Sequence, residues 1–541
     1  MAGEVSKFKV LVLDDIAPEG LAILEANPRL ECVVRSGLGP DEVKREIGSA
    51  HGVIVRSATR LTADVLEAAR ELRAVVRAGA GVDNIDVAAA SKRGVVVMNT
   101  PGGNTVSTAE HTVAMIMALA RNIPQASAAL KAGLWDRKRY TGTEVRGKTL
   151  GIVGLGRVGR TVARIVEGAG MKVLGYDPFF EPGEGERSRI AVADGLDEVL
   201  AASDFITVHV PFNDDTRGMI GREELARTKP GVRIVNCARG GIVDEEALAE
   251  AIKSGHVAGA ALDVFVKEPP VYRELVELDE VIVTPHLGAS TEEAQVYVST
   301  SAAEQLIDCL VNGAVHFAIN MPELDAETVE RLGPYLELAW SLGKLAGALA
   351  AGRARRLEAV YSGEAAAIDR RPVTTALVAG FLSDVSEEGV NMVNAPVVAA
   401  EHDLAVVESV SSASGDYSAA VSVKLATDKA EFGATGTVYG VGEPRIVLLD
   451  GFEVEAIPRG VVLVTYNEDR PGLIGMMGTI LGRGGVNIAR MTFGRKAQGG
   501  EAMMVLNLDA EPSAEVLAEV AAIENVKRLK LVRVESRARL V

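Results

Sequence analysis

Apolar positions in the first hundred residues fall in short β-branched runs, "KVLVLDD", "CVVRSG", "HGVIVRS", "LRAVVRAG" and "GVVVMNT", separated by stretches with helical spacing such as "EGLAILEAN" and "TADVLEAARE". Short apolar runs alternating with helices predict a parallel sheet covered on both faces. One long helix is expected next, over "TVSTAEHTVAMIMALARNIPQASAALKAG", with Ser107 and Glu110 in the S-x-x-E pattern of a capping box. A second strand-helix series follows: "KTLGIVGLG", "KVLGYDP", "DFITVHVP", "VRIVNCARGG", "GAALDVF" and "VIVTPHLG". The pattern predicts two consecutive doubly wound α/β domains, residues 1–100 and 101–286, the first completed by a returning helix within 287–319. From 320 to 455, long helical segments such as "PYLELAWSLGKLAGALA" give way to strands, an α+β intervening domain. Residues 458–541 read strand, helix, strand, strand, helix, strand, the βαββαβ order of a ferredoxin-like unit.

Candidate chemistry begins at "GIVGLGRVGR", where Gly154, Gly156 and Gly159 follow a predicted strand and open a predicted helix. A bare G-x-G-x-x-G is a weak signal, because glycine-rich turns are common. Here Gly154 suits a tight turn, Gly156 leaves room for a pyrophosphate against bare backbone, and Gly159 lets helix and sheet touch. Asp177, at the end of the next strand and about 20 residues on, suits a ribose 2′-hydroxyl and repels a 2′-phosphate. A Rossmann-like NAD site is expected, and NAD rather than NADP. The competing reading makes Asp177, beside Pro178, a turn residue only.

Three more segments stand at predicted strand ends, where open α/β sheets bind ligands: "NCARGGIVDEEAL", "ALDVFVKEPP" and "VTPHLGAST". Hydride transfer from a carbinol needs a group that exchanges the hydroxyl proton near neutral pH, and His286 is the candidate. Glu268 is placed to fix its tautomer, and Arg239 to grip a substrate carboxylate. Each has a plainer alternative: Arg239 in a solvated loop, Glu268 as a turn carboxylate before prolines, His286 leading into a helix capped by Ser290 and Glu293.

These segments together resemble the D-isomer-specific 2-hydroxyacid dehydrogenases over residues 1 to about 320. The resemblance implies that Arg239, Glu268 and His286 are catalytic. It also implies that Arg157, Val158, Val210, Cys237, Ala238 and Asp263, with Gly288 and Ala289, line the cofactor. The stretches "VIVRSATRLTADVL", "RAGAGVDNID" and "VVVMNTPGGNTVSTAEH" resemble the branch of that family acting on D-3-phosphoglycerate. A phosphorylated substrate needs cations remote from Arg239. Arg56 with Ser57, and Arg77, are expected to supply them, with Arg60 a weaker candidate. Arg137 to Arg139 lie either in an arm reaching a neighbouring subunit or on an exposed charged surface. Many family members carry threonine where this chain has Ala80.

In the C-terminal region, "VTYNEDRPGLIGMMGTILGRGGVNIARM" resembles an ACT domain, a module that binds amino acids at paired interfaces. The resemblance implies Asn467, Asp469 and Asn487 as effector ligands, L-serine as effector, and a homo-oligomer, dimer or tetramer. The segment 320–455 resembles the allosteric substrate-binding domain of the longer members.

Composition narrows the alternatives. A formal charge of −17, from 57 basic and 74 acidic residues, opposes non-specific binding to nucleic acid or anionic lipid. No apolar run approaches the roughly 20 residues of a membrane span, and the N-terminus lacks a secretory pattern. The cysteines Cys32, Cys237 and Cys309 match no metal-ligand spacing, so no metal and a cytoplasmic location are expected. The competing functions are a glyoxylate or hydroxypyruvate reductase and, from another class, a nucleotide-sensing scaffold without catalysis.

Overall fold

The computed structural model describes residues 7–181, 183, 190–385, 389–412, 417–440 and 442–534. It divides into two compact units, residues 101–299 and residues 1–100 together with 300–541.

The second of these opens with five parallel strands, β1 (Phe8–Val12), β2 (Leu30–Val34), β3 (Gly52–Val55), β4 (Ala74–Arg77) and β5 (Val96–Asn99), in the order β2-β1-β3-β4-β5. All four residues of β3 and of β5 are buried, as expected for strands covered on both faces. Val55 pairs with Arg77, so Arg56 leaves the sheet beside it.

In the unit of residues 101–299 the strands are β6 (Thr149–Val153), β7 (Lys172–Tyr176), β8 (Ala191–Val192), β9 (Phe205–Val208), β10 (Val232–Asn236), β11 (Val257–Leu262) and β12 (Val281–Val283). All are parallel, in the order β12-β11-β10-β9-β6-β7-β8. The winding direction reverses at β6, which lies between β7 and β9. That reversal is the doubly wound switch point, outside which dinucleotides bind.

The single long helix expected after residue 104 is two helices, Thr105–Arg121 and Ile123–Lys131. Asn122 breaks them apart in a left-handed conformation (φ 52°), and Pro124 sits in the first turn of the second. Ser107 lies inside the first helix, where its hydroxyl donates to the carbonyl of Asn104, so the expected capping box does not form the start. The helix after residue 290 runs Glu292–Ile307, and Thr291 rather than Ser290 caps it, accepting from the Ala294 N–H. Among the described residues no helix is long and apolar enough to cross a membrane.

Residues beyond 320 form two further sheets. The first contains β13 (Ala354–Gly363), β14 (Ala405–Ser411), β15 (Ala419–Thr427), β16 (Glu431–Tyr439), β17 (Glu443–Leu449) and β18 (Phe452–Ala456), ordered β14-β13-β15-β16-β17-β18. The helices Ala326–Leu349 and Arg370–Leu382 bury apolar faces in the same region. The last sheet joins β19 (Gly460–Glu468), β20 (Ile488–Arg495), β21 (Glu501–Leu508) and β22 (Val526–Val534), all antiparallel, in the order β20-β21-β19-β22. With the helices Leu473–Arg483 and Ala514–Ala521 it makes the βαββαβ arrangement that the apolar pattern predicts.

Candidate active site

Every catalytic and cofactor candidate between residues 154 and 289 lies beyond the C-terminal end of a strand of the seven-stranded sheet. At the switch point, Gly154 takes φ 97°, a conformation that side-chain-bearing residues avoid. A Cβ on Gly159 would stand 2.1 Å from the Gly154 carbonyl oxygen, so the helix Arg157–Gly168 starts pressed against the turn. Gly156, the residue before that helix, has no side chain to cap it. Beyond its own chain neighbours, no atom of the described residues lies within 4 Å of where its Cβ would be. Free N–H groups at the positive end of a helix beside open space suit a pyrophosphate. Arg157 is exposed at the first turn and Val158 half-buried behind it.

Asp177 accepts from the Leu155 N–H on one carboxylate oxygen (2.9 Å) and from the Phe179 N–H on the other (2.9 Å). It ties the end of β7 to the glycine turn. Each oxygen retains acceptor capacity, so a ribose hydroxyl is compatible with these bonds. The switch-point residues therefore fit a dinucleotide. Val210 is half-buried, and its side chain reaches to within 2.9 Å of where a Gly154 Cβ would lie.

Further along the edge, Asn236 shapes the turn after β10. Its side chain accepts from the Ala238 N–H (3.0 Å) and donates to the Arg239 carbonyl (2.9 Å). Arg239 donates from Nη1 to the Ala238 carbonyl (2.7 Å) and is half-buried. Cys237 instead points into the core. Burial pushes its thiol up to about 12, which leaves it protonated and unreactive.

After β11 and β12 the chain brings Glu268 to His286, with Oε2 2.8 Å from Nδ1. Both side chains keep about two-fifths of their surface exposed. His286 has φ 55°, and its N–H lies within hydrogen-bond distance of the carbonyls of Asp263 (2.9 Å) and Thr284 (3.0 Å).

Asp263 does not present its side chain to a cofactor. Its fully buried carboxylate accepts from Thr284 Oγ1 (2.6 Å), the Leu287 N–H (2.7 Å) and the Gly288 N–H (2.8 Å), with His111 Nε2 at 3.3 Å. Burial works to raise its pKa, but those hydrogen bonds outweigh it and hold the carboxyl below the usual range. Asp263 thus fastens the loop that carries His286, with Gly288 buried beside it and Ala289 half-buried next along. Sequence reasoning missed His111 and Thr284, whose partners lie far away along the chain.

In the other unit, Arg56 and Arg77 stand at adjacent strand ends and are half-buried, while Ser57 and Arg60 are exposed. Arg56 donates from Nη1 to the Asp15 carbonyl (3.1 Å), and its buried Nε has no hydrogen-bond partner among the described residues.

The three effector candidates are not gathered by one chain. Asn467 pairs with Ala502 at one end of β21, where Asp469 accepts from Arg495 (3.0 Å) and the Gly499 N–H (3.1 Å). Asn487 lies at the other end, bonded to Asp509 and next to Ile488, which pairs with Leu508. Six strand positions, roughly 20 Å, separate the two groups.

Comparison with known proteins agrees with this geometry. Residues 113–288 match the family model for the NAD binding domain of D-isomer specific 2-hydroxyacid dehydrogenases, and residues 331–450 that for the D-3-phosphoglycerate dehydrogenase intervening domain. The chain is 43% identical to the D-3-phosphoglycerate dehydrogenase of Methanocaldococcus jannaschii, over 97% of this chain and 99% of that one. It is 42% identical to the one from Synechocystis sp., over 96% and 93%. Among solved structures, the NAD-dependent formate dehydrogenase of Staphylococcus aureus in complex with NAD matches with a TM-score of 0.52 and 27% identity, over 57% of this chain and 97% of that one. Fold and site define an NAD-dependent oxidoreductase of the D-isomer specific 2-hydroxyacid dehydrogenase class. Within that class, the chain belongs to the D-3-phosphoglycerate dehydrogenase family.

Proposed function

We propose that the enzyme oxidises D-3-phosphoglycerate to 3-phosphooxypyruvate with NAD, the first committed step towards L-serine. The observation that carries this is the 2.8 Å contact between His286 and Glu268 on the same sheet edge as the glycine turn and Asp177. When bound, NAD supplies the hydride acceptor for the substrate carbon bearing the hydroxyl.

The chain's own residues do the rest. With Nδ1 engaged by Glu268, His286 has Nε2 left to take the hydroxyl proton, and Glu268 both fixes that tautomer and stabilises the imidazolium that results. Arg239 is assigned the substrate carboxylate, which suits the planar two-point grip of a guanidinium. Arg56, Ser57 and Arg77 are assigned the phosphate. Gly154, Gly156, Arg157, Val158 and Gly159 are assigned the pyrophosphate, and Asp177 the ribose. In the reverse reduction a protonated His286 returns the proton.

The separation of Asn487 from Asn467 and Asp469 supports an effector site completed by a second copy of the chain; L-serine is the effector proposed for it, and a cytoplasmic homo-oligomer the proposed working state. The test is steady-state NADH formation with D-3-phosphoglycerate and D-glycerate, repeated across L-serine concentrations. A strong preference for the phosphorylated acid and serine inhibition are expected. Equal rates with the two acids would favour a general hydroxyacid reductase.

A further inference from the structure

The loop after β3, which carries Arg56 and Ser57, is gripped from both sides. From just beyond β1, the carboxylate of Asp14, only 6% exposed, accepts from the Arg56 N–H (2.5 Å), the Thr59 N–H (3.1 Å) and Thr59 Oγ1 (2.6 Å). From beyond β4, the Asn84 side-chain NH2 donates to two carbonyls, Arg56 (2.8 Å) and Thr59 (2.6 Å). Because both partners are carbonyl oxygens, they fix which way that amide points. The Asn84 backbone closes the grip, its carbonyl accepting from the Leu61 N–H (2.9 Å) while the Leu61 carbonyl accepts from the Asp86 N–H (2.9 Å). Within this frame the tip, Ser57 and Ala58, stays exposed.

Apart from the Thr59 hydroxyl the two clamps act on backbone, and neither uses a group that the proposed mechanism assigns to substrate. Thr59 is buried, so Asp14 and Asn84 satisfy groups there that water does not reach, and by bonding the half-buried Arg56 N–H and carbonyl as well they set the backbone that carries Arg56 and Ser57. A polyanion is bound by several donors aligned at once, and a loop already held in that alignment spares the ligand the entropy of ordering it.

We propose that Asn84, with Asp14, is a specificity-determining positioning residue: it holds the Arg56–Thr59 loop in the shape that distinguishes a phosphorylated hydroxyacid from an unphosphorylated one. This rests on the assignment of Arg56 and Ser57 to the substrate phosphate. The effect of losing the clamp then falls on the part of the substrate that touches the loop and spares the carbon that reacts.

The experiment compares kcat/KM for D-3-phosphoglycerate and for D-glycerate in the wild type, Asn84→Ala, Asp14→Asn, Arg56→Ala and the Asn84→Ala/Arg56→Ala double variant. Because an unfolded fraction lowers both values equally, their ratio is insensitive to partial misfolding. In Asn84→Ala the ratio falls about tenfold through a higher KM for the phosphorylated acid, with KM for NAD and kcat/KM for D-glycerate within about twofold of wild type. Asp14→Asn shifts the ratio in the same direction. In the Arg56→Ala background Asn84→Ala changes the ratio no further, as expected of residues acting through one another. An unchanged ratio in both single clamp variants, or equal losses on the two substrates, overturns the inference and leaves the proposed function standing. A wild type without preference for the phosphorylated acid overturns both.

Discussion

Glu268 Oε2 lies 2.8 Å from His286 Nδ1, and the loop bearing the histidine is separately fastened by the buried carboxylate of Asp263. Two carboxylates thus divide the work: one bonds the imidazole itself, the other fixes the backbone beneath it. Replacing Glu268 by Gln leaves the Asp263 bonds in place but removes the negative charge that stabilises the imidazolium. The expected outcome is a kcat lowered by about 10²-fold with KM for NAD little changed, read from initial rates of NADH formation. A kcat within about twofold of wild type would remove Glu268 from the mechanism.

Two glycines six and three residues before Val162 separate folding from binding. Gly159→Ala places a methyl 2.1 Å from the Gly154 carbonyl oxygen, backbone against backbone, and is expected to lower the Tm sharply or prevent folding. Gly156→Ala meets no described atom within 4 Å, so its Tm stays near wild type while NAD binding weakens. Thermal melts and titration of NAD by intrinsic fluorescence check the pair. A Gly156→Ala variant that binds NAD normally would place the pyrophosphate elsewhere.

Much of this site was legible in the linear pattern, because doubly wound sheets put ligands at strand ends and the strands announce themselves as β-branched runs. The glycine turn, Asp177, Arg239, Glu268 and His286 all fall at such ends. What stayed hidden depends on partners far apart in the chain. Asp263 reads as a cofactor-lining residue until its carboxylate is seen to be occupied by Thr284, Leu287 and Gly288, with His111 alongside. The grip of Asp14 and Asn84 on the Arg56 loop spans 25 to 45 residues and leaves no periodic trace. The break at Asn122 is masked in the sequence because helical apolar spacing runs through it, although Pro124 marks the restart. The effector residues sit close in sequence and at opposite ends of a sheet, since β20 and β19 run side by side in the same direction across β21.

His209 gives the unit of residues 101–299 a pH dependence. Desolvation pushes its imidazole down to about 4, and Thr207 Oγ1 lies 3.1 Å from its Nε2. The unfolded chain, with the ordinary value near 6.5, takes up this proton first. Stability from the neutral ring is therefore complete above about pH 6.5 and lost as pH falls from there to about 4. At pH 5 the loss is about 2 kcal/mol. Thermal melts of the wild type and His209→Gln at pH 7 and pH 5 check this, with the wild-type Tm falling more steeply. Parallel slopes would mean that His209 is solvated in the folded state.

The central claim is that His286 moves the substrate's hydroxyl proton in an NAD-dependent oxidation, and His286→Asn addresses it most directly. With NAD affinity measured on the same sample, the account predicts kcat for D-3-phosphoglycerate oxidation reduced by about 10³-fold and NAD binding within about twofold of wild type. Turnover within about tenfold of wild type, at unchanged NAD affinity, would contradict it.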